Sequence, residues 1–122
     1  MSQPLKLPYL NTATVVGRLV ADPHKLEAEG GREGSAFTIA SNRQSGSGKK
    51  AITTYIDVVC WGDTAKACNT NLGKGSAVMV SGSLANHEKK REKGSPVKML
   101  QLSASAVQFL NQAPEKSDAP TS

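Results

Sequence analysis

The sequence predicts an all-β domain of five strands with one short helix between the third and fourth. Three observations lead there. Most apolar residues fall in short runs that alternate with polar ones, the period of a half-buried strand. These runs are separated by Gly, Pro, Asn, Asp and Ser clusters, which punctuate strands. A single stretch, after Trp61, has helical spacing.

Thr12 to Ala21 reads as the first strand, with Val15, Val16, Leu19 and Val20 as its apolar bulk. Its alternation slips beside Gly17, where a bulge or bend is expected. Asp22-Pro23 stops that ladder, and Glu27 to Ser35, with Gly30, Gly31 and Gly34, reads as a turn. Ala36 to Asn42 is the second strand, with Phe37, Ile39 and Ser41 on one face and Phe37 assigned to the core. Gln44 to Lys50 is a polar, Gly-rich arm joining two strands.

Ile52 to Trp61 is the strongest strand. Tyr55, Asp57, Val59 and Trp61 share one face, and Ile52, Thr54, Ile56, Val58 and Cys60 the other. Asp63 is the expected N-cap of the helix. Ala65, Cys68 and Leu72 form its apolar stripe, Gly73 closes it, and Lys74 adds positive charge near its carbonyl end. Ala77 to Leu84 is the fourth strand, Ala85 to Pro96 a second, Lys-dense arm, and Val97 to Leu110 the last strand. Five strands with a helix at that point suggest the five-stranded Greek-key barrel called the OB-fold, though the pattern also fits another five-stranded barrel.

The 122 residues suit one domain. Residues 1–10 read as an N-terminal extension, 11–110 as the folded domain, and 111–122, rich in Pro, Ser, Ala and charge, as a flexible tail. With 38% hydrophobic and 20% charged residues, the composition is that of a globular chain. No apolar run is long enough for a membrane span and the N-terminus does not resemble a secretory signal, so a cytoplasmic protein is expected. The net charge of +5 favours a polyanionic partner. Cys60 and Cys68 are too few for a disulfide scaffold or a four-ligand zinc site and read as small buried hydrophobes. His24 and His87 are far apart and lack partners at ligand spacing, so no metal or other cofactor is expected. No paired carboxylates, Ser/His/Asp set or Cys/His set points to an enzyme.

Four segments in order resemble the bacterial single-stranded DNA-binding protein family. They are Asn11-Thr-Ala-Thr-Val-Val-Gly-Arg-Leu-Val-Ala-Asp-Pro23, Phe37-Thr-Ile-Ala-Ser-Asn-Arg43, Tyr55-Ile-Asp-Val-Val-Cys-Trp-Gly62, and Lys74-Gly-Ser leading to Val80-Ser-Gly-Ser-Leu84. The resemblance implies an OB-fold that binds single-stranded DNA with little sequence preference. It also implies a homotetramer with roles in replication, recombination and repair, at the nucleoid within the cytoplasm. Three features depart from the family. Gln44 stands where the first arm often carries an aromatic, Ala85 to Arg91 holds none, and the tail ends Lys116-Ser-Asp-Ala-Pro-Thr-Ser122. That ending lacks the acidic, Phe-tipped peptide tied to recruitment of replication and repair proteins, which leaves tail-mediated recruitment in doubt.

Binding a single strand needs cations along the backbone and flat rings for the bases. The resemblance aligns Tyr55 and Trp61 with stacking aromatics; the alternative for Trp61 is a core place under the helix. Arg43, Lys49 and Lys50 flank the first arm, and Lys89, Lys90, Arg91 and Lys93 crowd the second. Arg18 and Lys74 are further candidates for phosphate contact. The acidic turn holding Glu27, Glu29 and Glu33 is expected to face away from nucleic acid. The competing readings are an OB-fold protein-interaction or primosome-type accessory module, and RNA binding by the same face.

Overall fold

The computed structural model describes residues 7–48, 50–89, 93–95 and 97–111, with Lys89 described by its backbone. Strands β1 (Ala13–Leu19), β2 (His24–Ala28), β3 (Arg32–Gln44), β4 (Ala51–Trp61), β5 (Ala77–Lys89) and β6 (Val97–Phe109) form one sheet. Helix α1 (Asp63–Asn71) separates β4 from β5. The sheet runs β1-β5-β6-β4-β3-β2, and β1 also pairs with β3. That extra pairing closes β1, β3, β4, β6 and β5 into a five-stranded barrel, the OB-fold that the strand and helix order predicts. β4 and β6 run parallel, and the other paired strands are antiparallel.

The core follows from the alternation. Phe37 and Ile39 on β3, Val58 and Cys60 on β4, Val78 and Val80 on β5, and Leu102 on β6 point inward and are buried. Ala65 and Cys68 of α1 complete the cluster from the helix side. Burying each of the larger side chains contributes roughly 1.5–3 kcal/mol. The sulfurs of Cys60 and Cys68 lie 3.9 Å apart within it. Their hydrogen bond, and then burial, hold the Cys68 thiol well above its usual range.

Several local expectations are corrected. The segment read as a turn is largely strand: β2 pairs with β3 from His24↔Ala36 to Ala28↔Arg32. Only Glu29–Gly31 turns, with Gly30 at φ 82° and Gly31 at φ 78°. The first strand ends at Leu19, short of the expected Ala21 and before Asp22-Pro23, and His24–Ala28 resumes as a sixth strand on the outer edge of β3. Its polar sequence carries little strand signal; pairing with β3 holds it extended.

Gly17 makes no bulge. Val15, Gly17 and Leu19 point inward in strict alternation. A Cβ at Gly17 would lie 2.6 Å from the Ala40 carbonyl oxygen, so the missing side chain lets β1 close against β3. The register shift instead falls between Ser81 and Gly82, where β5 meets β6.

Asp63 begins α1 but does not cap it; Gly62 occupies the cap position at φ 72° without a side-chain bond. The helix closes at Leu72, whose N–H donates to the Cys68 carbonyl at 2.9 Å, one residue before the expected Gly73. The second arm is shorter than expected, because β5–β6 pairing continues to Lys89↔Val97. The first arm narrows to a turn closed by Ser45 N–H on the Lys50 carbonyl at 2.7 Å. Lys49, Lys90, Arg91 and most of the expected tail lie outside the described residues.

Candidate nucleic-acid interface

The outward side of β4 carries Tyr55, Asp57, Val59 and Trp61, opposite Ala40, Thr38, Ala36 and Gly34 of β3. Small partners on β3 leave the β4 side chains as the relief of this face. Tyr55 beside Ala40 is 67% exposed, which places a flat ring in solvent on a regular, fully paired strand. At about 3.3 Å per residue, Tyr55 and Trp61 stand about 20 Å apart along β4.

Trp61 is half-buried and lies outside the core cluster. Its indole rests on the bare Cα of Gly34: a Cβ there would come within 2.5 Å of Cζ3 and 2.6 Å of Cε3. The Arg32 guanidinium sits 5.0 Å from the ring centroid. Such a contact contributes about 0.5–1 kcal/mol at an exposed site. The space beneath α1 is filled by Cys60, Ala65 and Cys68, so the alternative of Trp61 as a core residue under the helix does not describe this structure. The β2–β3 hairpin, expected to face away, borders Trp61 through Arg32. Glu33 turns the other way and accepts from Asn69 Nδ2 of α1 at 2.8 Å.

The predicted cations distribute unevenly. Arg18 pairs with Ala40, and Ala40 with Tyr55, so the three form one row across the barrel. Two strand spacings, about 10 Å, separate Arg18 from Tyr55. Arg18 Nη1 donates to the Gly75 carbonyl at 2.8 Å, which draws it toward the loop that carries Lys74. The Lys74 N–H is held by Asp22 Oδ1 at 2.8 Å, and the residue is exposed. Arg43 pairs with Ile52 and has the parity of the inward-facing residues, so it points to the side of the arm away from Tyr55. Lys50 and Lys93 are exposed at the two arm tips.

A groove of about 330 Å³ also opens on the barrel; Asp22, His24, Thr38, Asp57, His87 and Gln101 are among the residues lining it. Thr38 Oγ1 donates to Asp57 Oδ1 at 2.6 Å. The two histidines, distant in sequence, thus line one groove. Among the described residues, no group of three or more His, Cys, Asp or Glu side chains is placed to hold a metal ion. Sequence reasoning assigned no role to Asp57, Arg32, Thr38, Gln101 or Gly34. Asp57 had a signal, an acid in phase with Tyr55 and Trp61. Arg32 and Gly34 had none, because their segment read as a turn.

Comparisons with known proteins bear on the family and the fold. The model of the Single-strand binding protein family matches residues 10–110. The single-stranded DNA-binding protein 2 of Chlorobaculum tepidum is 33% identical over 109 residues, covering 86% of this chain and 74% of that protein. Single-stranded DNA-binding protein A of Bacillus subtilis is 33% identical over 103 residues, 83% of this chain and 59% of that protein. Among solved structures, the Plasmodium falciparum SSB complex with ssDNA superposes with a TM-score of 0.73 at 22% identity, over 88% of this chain and all of that one. A deletion mutant of the Thermus aquaticus single-stranded DNA binding protein gives 0.69 at 23% identity, over 84% of this chain and 51% of that one. These two show the shared fold. With the family model covering residues 10–110, most of the chain, the chain belongs to the Single-strand binding protein family.

Proposed function

We propose that the chain binds single-stranded DNA on the outer β3–β4 face, without requiring a particular sequence, and so protects and organises exposed strands in replication, recombination and repair. The observation that carries this is Tyr55: a ring 67% exposed on a paired strand, in line with Arg18 and on the same face as Trp61. An exposed ring on a rigid strand offers a base a π-face at little cost in ordering. Tyr55, Trp61, Arg18 and Lys74 form the central part of the site in this reading. Lys50 and Lys93, with Lys49, Lys89, Lys90 and Arg91, add charge from the arms. Arg43 contributes only from the arm's other side. Residues 11–110 act as the binding domain, with 1–10 and 111–122 as extension and tail.

The activity is binding, not catalysis, and its setting is the nucleoid in the cytoplasm. Among the described residues, no helix is long and apolar enough to cross a membrane. We assign a homotetramer, supported by apolar side chains that a lone barrel leaves uncovered. Leu84 and Leu100, 41% and 62% exposed, border a hollow of about 240 Å³ with Val15 and Ile56.

The test is a titration with oligo-dT, following the fluorescence of the single tryptophan, against a duplex of equal length. Quenching by the single strand alone supports the reading. No quenching and no anisotropy change at low salt refutes it and turns to the protein-interaction module. Equal binding of oligo-U extends the face to RNA.

A further inference from the structure

The β2–β3 hairpin divides its charges between its two sides. In the antiparallel register Ala28 stands opposite Arg32 and Leu26 opposite Gly34, while Gly34 stands opposite Trp61. Arg32 therefore shares the outer side with Trp61. Glu27 stands opposite Glu33, and Lys25 opposite Ser35, on the other side. There Glu33 accepts from Asn69 Nδ2 at 2.8 Å. The hairpin thus shows the outer face a cation and turns Glu27 and Glu33 away from it. The indole of Trp61 is closed from below by Gly34, where a Cβ would come within 2.5 Å of Cζ3, and the Arg32 guanidinium lies over the ring, 5.0 Å from its centroid. Arg32 is exposed and Trp61 half-buried. A strand arriving at this end of β4 meets the cation as well as the ring.

We propose that Arg32 contacts a phosphate of the bound strand and that Trp61 positions it for that contact. The inference rests on the single-strand reading above and deepens it. A guanidinium is planar, always charged and rich in N–H donors, and its fork matches the oxygens of a phosphate. Its side chain is long, so fixing it at a phosphate costs rotamer freedom. A ring that already holds the guanidinium reduces that cost, as preorganisation does in general. Arg18 lies in the row of Tyr55 and Ala40. Arg32 is eight residues from Ala40 on β3, about 26 Å along the strand, so the two cations can hold the backbone at separate points of one path. A phosphate contact carries no base information, in keeping with binding that requires no particular sequence.

The experiment titrates labelled oligo-dT with the full chain over a range of salt concentrations, reading anisotropy, with thermal unfolding to show that each variant is folded. Arg32→Ala should flatten the log–log salt slope by about 0.7, so that a fourfold rise in salt costs it about 2.6 times less affinity than it costs the unsubstituted protein. Arg32→Gln, neutral and of similar reach, should flatten the slope equally, and Arg32→Lys, which keeps the charge, should retain it. Lys25→Ala removes a charge from the other side of the same hairpin and should leave the slope unchanged. In a Trp61→Ala background, Arg32→Ala should weaken binding by a smaller factor, since the ring no longer holds the guanidinium. An unchanged slope in Arg32→Ala and Arg32→Gln overturns the inference, because Arg32 then only covers the ring. Equal flattening by Lys25→Ala overturns it too, because net charge alone then explains the effect. An undiminished factor in the Trp61→Ala background overturns the positioning by Trp61. If the unsubstituted protein does not bind oligo-dT, the single-strand reading itself fails; if it binds with a slope indifferent to Arg32, only this inference does.

Discussion

Gly34→Ala tests the seat of Trp61 more sharply than removal of the ring. The added methyl would lie 2.5 Å from Cζ3, 2.6 Å from Cε3 and 3.0 Å from Cη2 of the indole. Carbon atoms in contact prefer about 3.5–4.0 Å. The ring must therefore lift by about 1 Å or more, and it cannot bend away as a flexible chain end would. Overpacking of this kind costs about 1–3 kcal/mol. Loss of the Arg32 contact falls within that figure. For a folded domain of about 100 residues, each kcal/mol lowers Tm by roughly 4–8 °C. Alanine is itself favoured over glycine inside a strand by about 0.5–1 kcal/mol. The sign should therefore reverse once the ring is gone. In a Trp61→Ala background, Gly34→Ala should be neutral or stabilising by about 0.5–1 kcal/mol. The assay is urea and thermal unfolding of the four proteins of the cycle, with Trp61 emission recorded in the two that keep it. An unchanged Tm and emission in the Gly34→Ala single variant, or equal costs in both backgrounds, would refute the packing argument.

Tyr55→Ala should leave stability within about 0.5 kcal/mol, since the side chain is exposed, and should weaken single-strand binding by about 1–3 kcal/mol, a factor of roughly 5 to 150. Unchanged affinity for oligo-dT would remove Tyr55 from the interface. Affinity should also fall with added salt at a log–log slope of about −0.7 per phosphate contact, and Arg18→Ala should flatten that slope by about 0.7, one contact's worth; a slope near zero in the unsubstituted protein would exclude an electrostatic groove. Light scattering should give a mass near four chains at micromolar concentration, and Leu100→Glu should lower it by charging the apolar hollow; a monomer in the unsubstituted protein would sink the assembly.

How much of this was legible beforehand depends on the signal each element carries. β4 was readable to within one residue because Ile52 to Trp61 is an unbroken run rich in β-branched and aromatic residues, ended by Gly62. The arms were readable as polar and basic. The outer position of Trp61 was not derivable from periodicity, since alternation separates two faces without saying which one meets the helix. β2 was missed because His24, Lys25 and Glu27 have weak strand preference, and only the ladder with β3 holds them extended. The Gly17 bulge was misplaced because a missing Cβ looks the same whether it permits a bend or a close approach.

The sequence by itself determined the class and order of elements, the split of β4 into two faces, and the basic balance that favours a polyanion. These are local or additive properties, written in periods of two and in charge. Only the tertiary structure decided what meets across strands. It set the ring of Trp61 on Gly34 under Arg32, placed Arg18 in one row with Tyr55, turned Arg43 to the other side, and brought His24 and His87 to the groove of Asp57. Arg43 aside, these placements join residues 27 to 63 positions apart, and their partners are selected by register and barrel closure, which no single segment encodes.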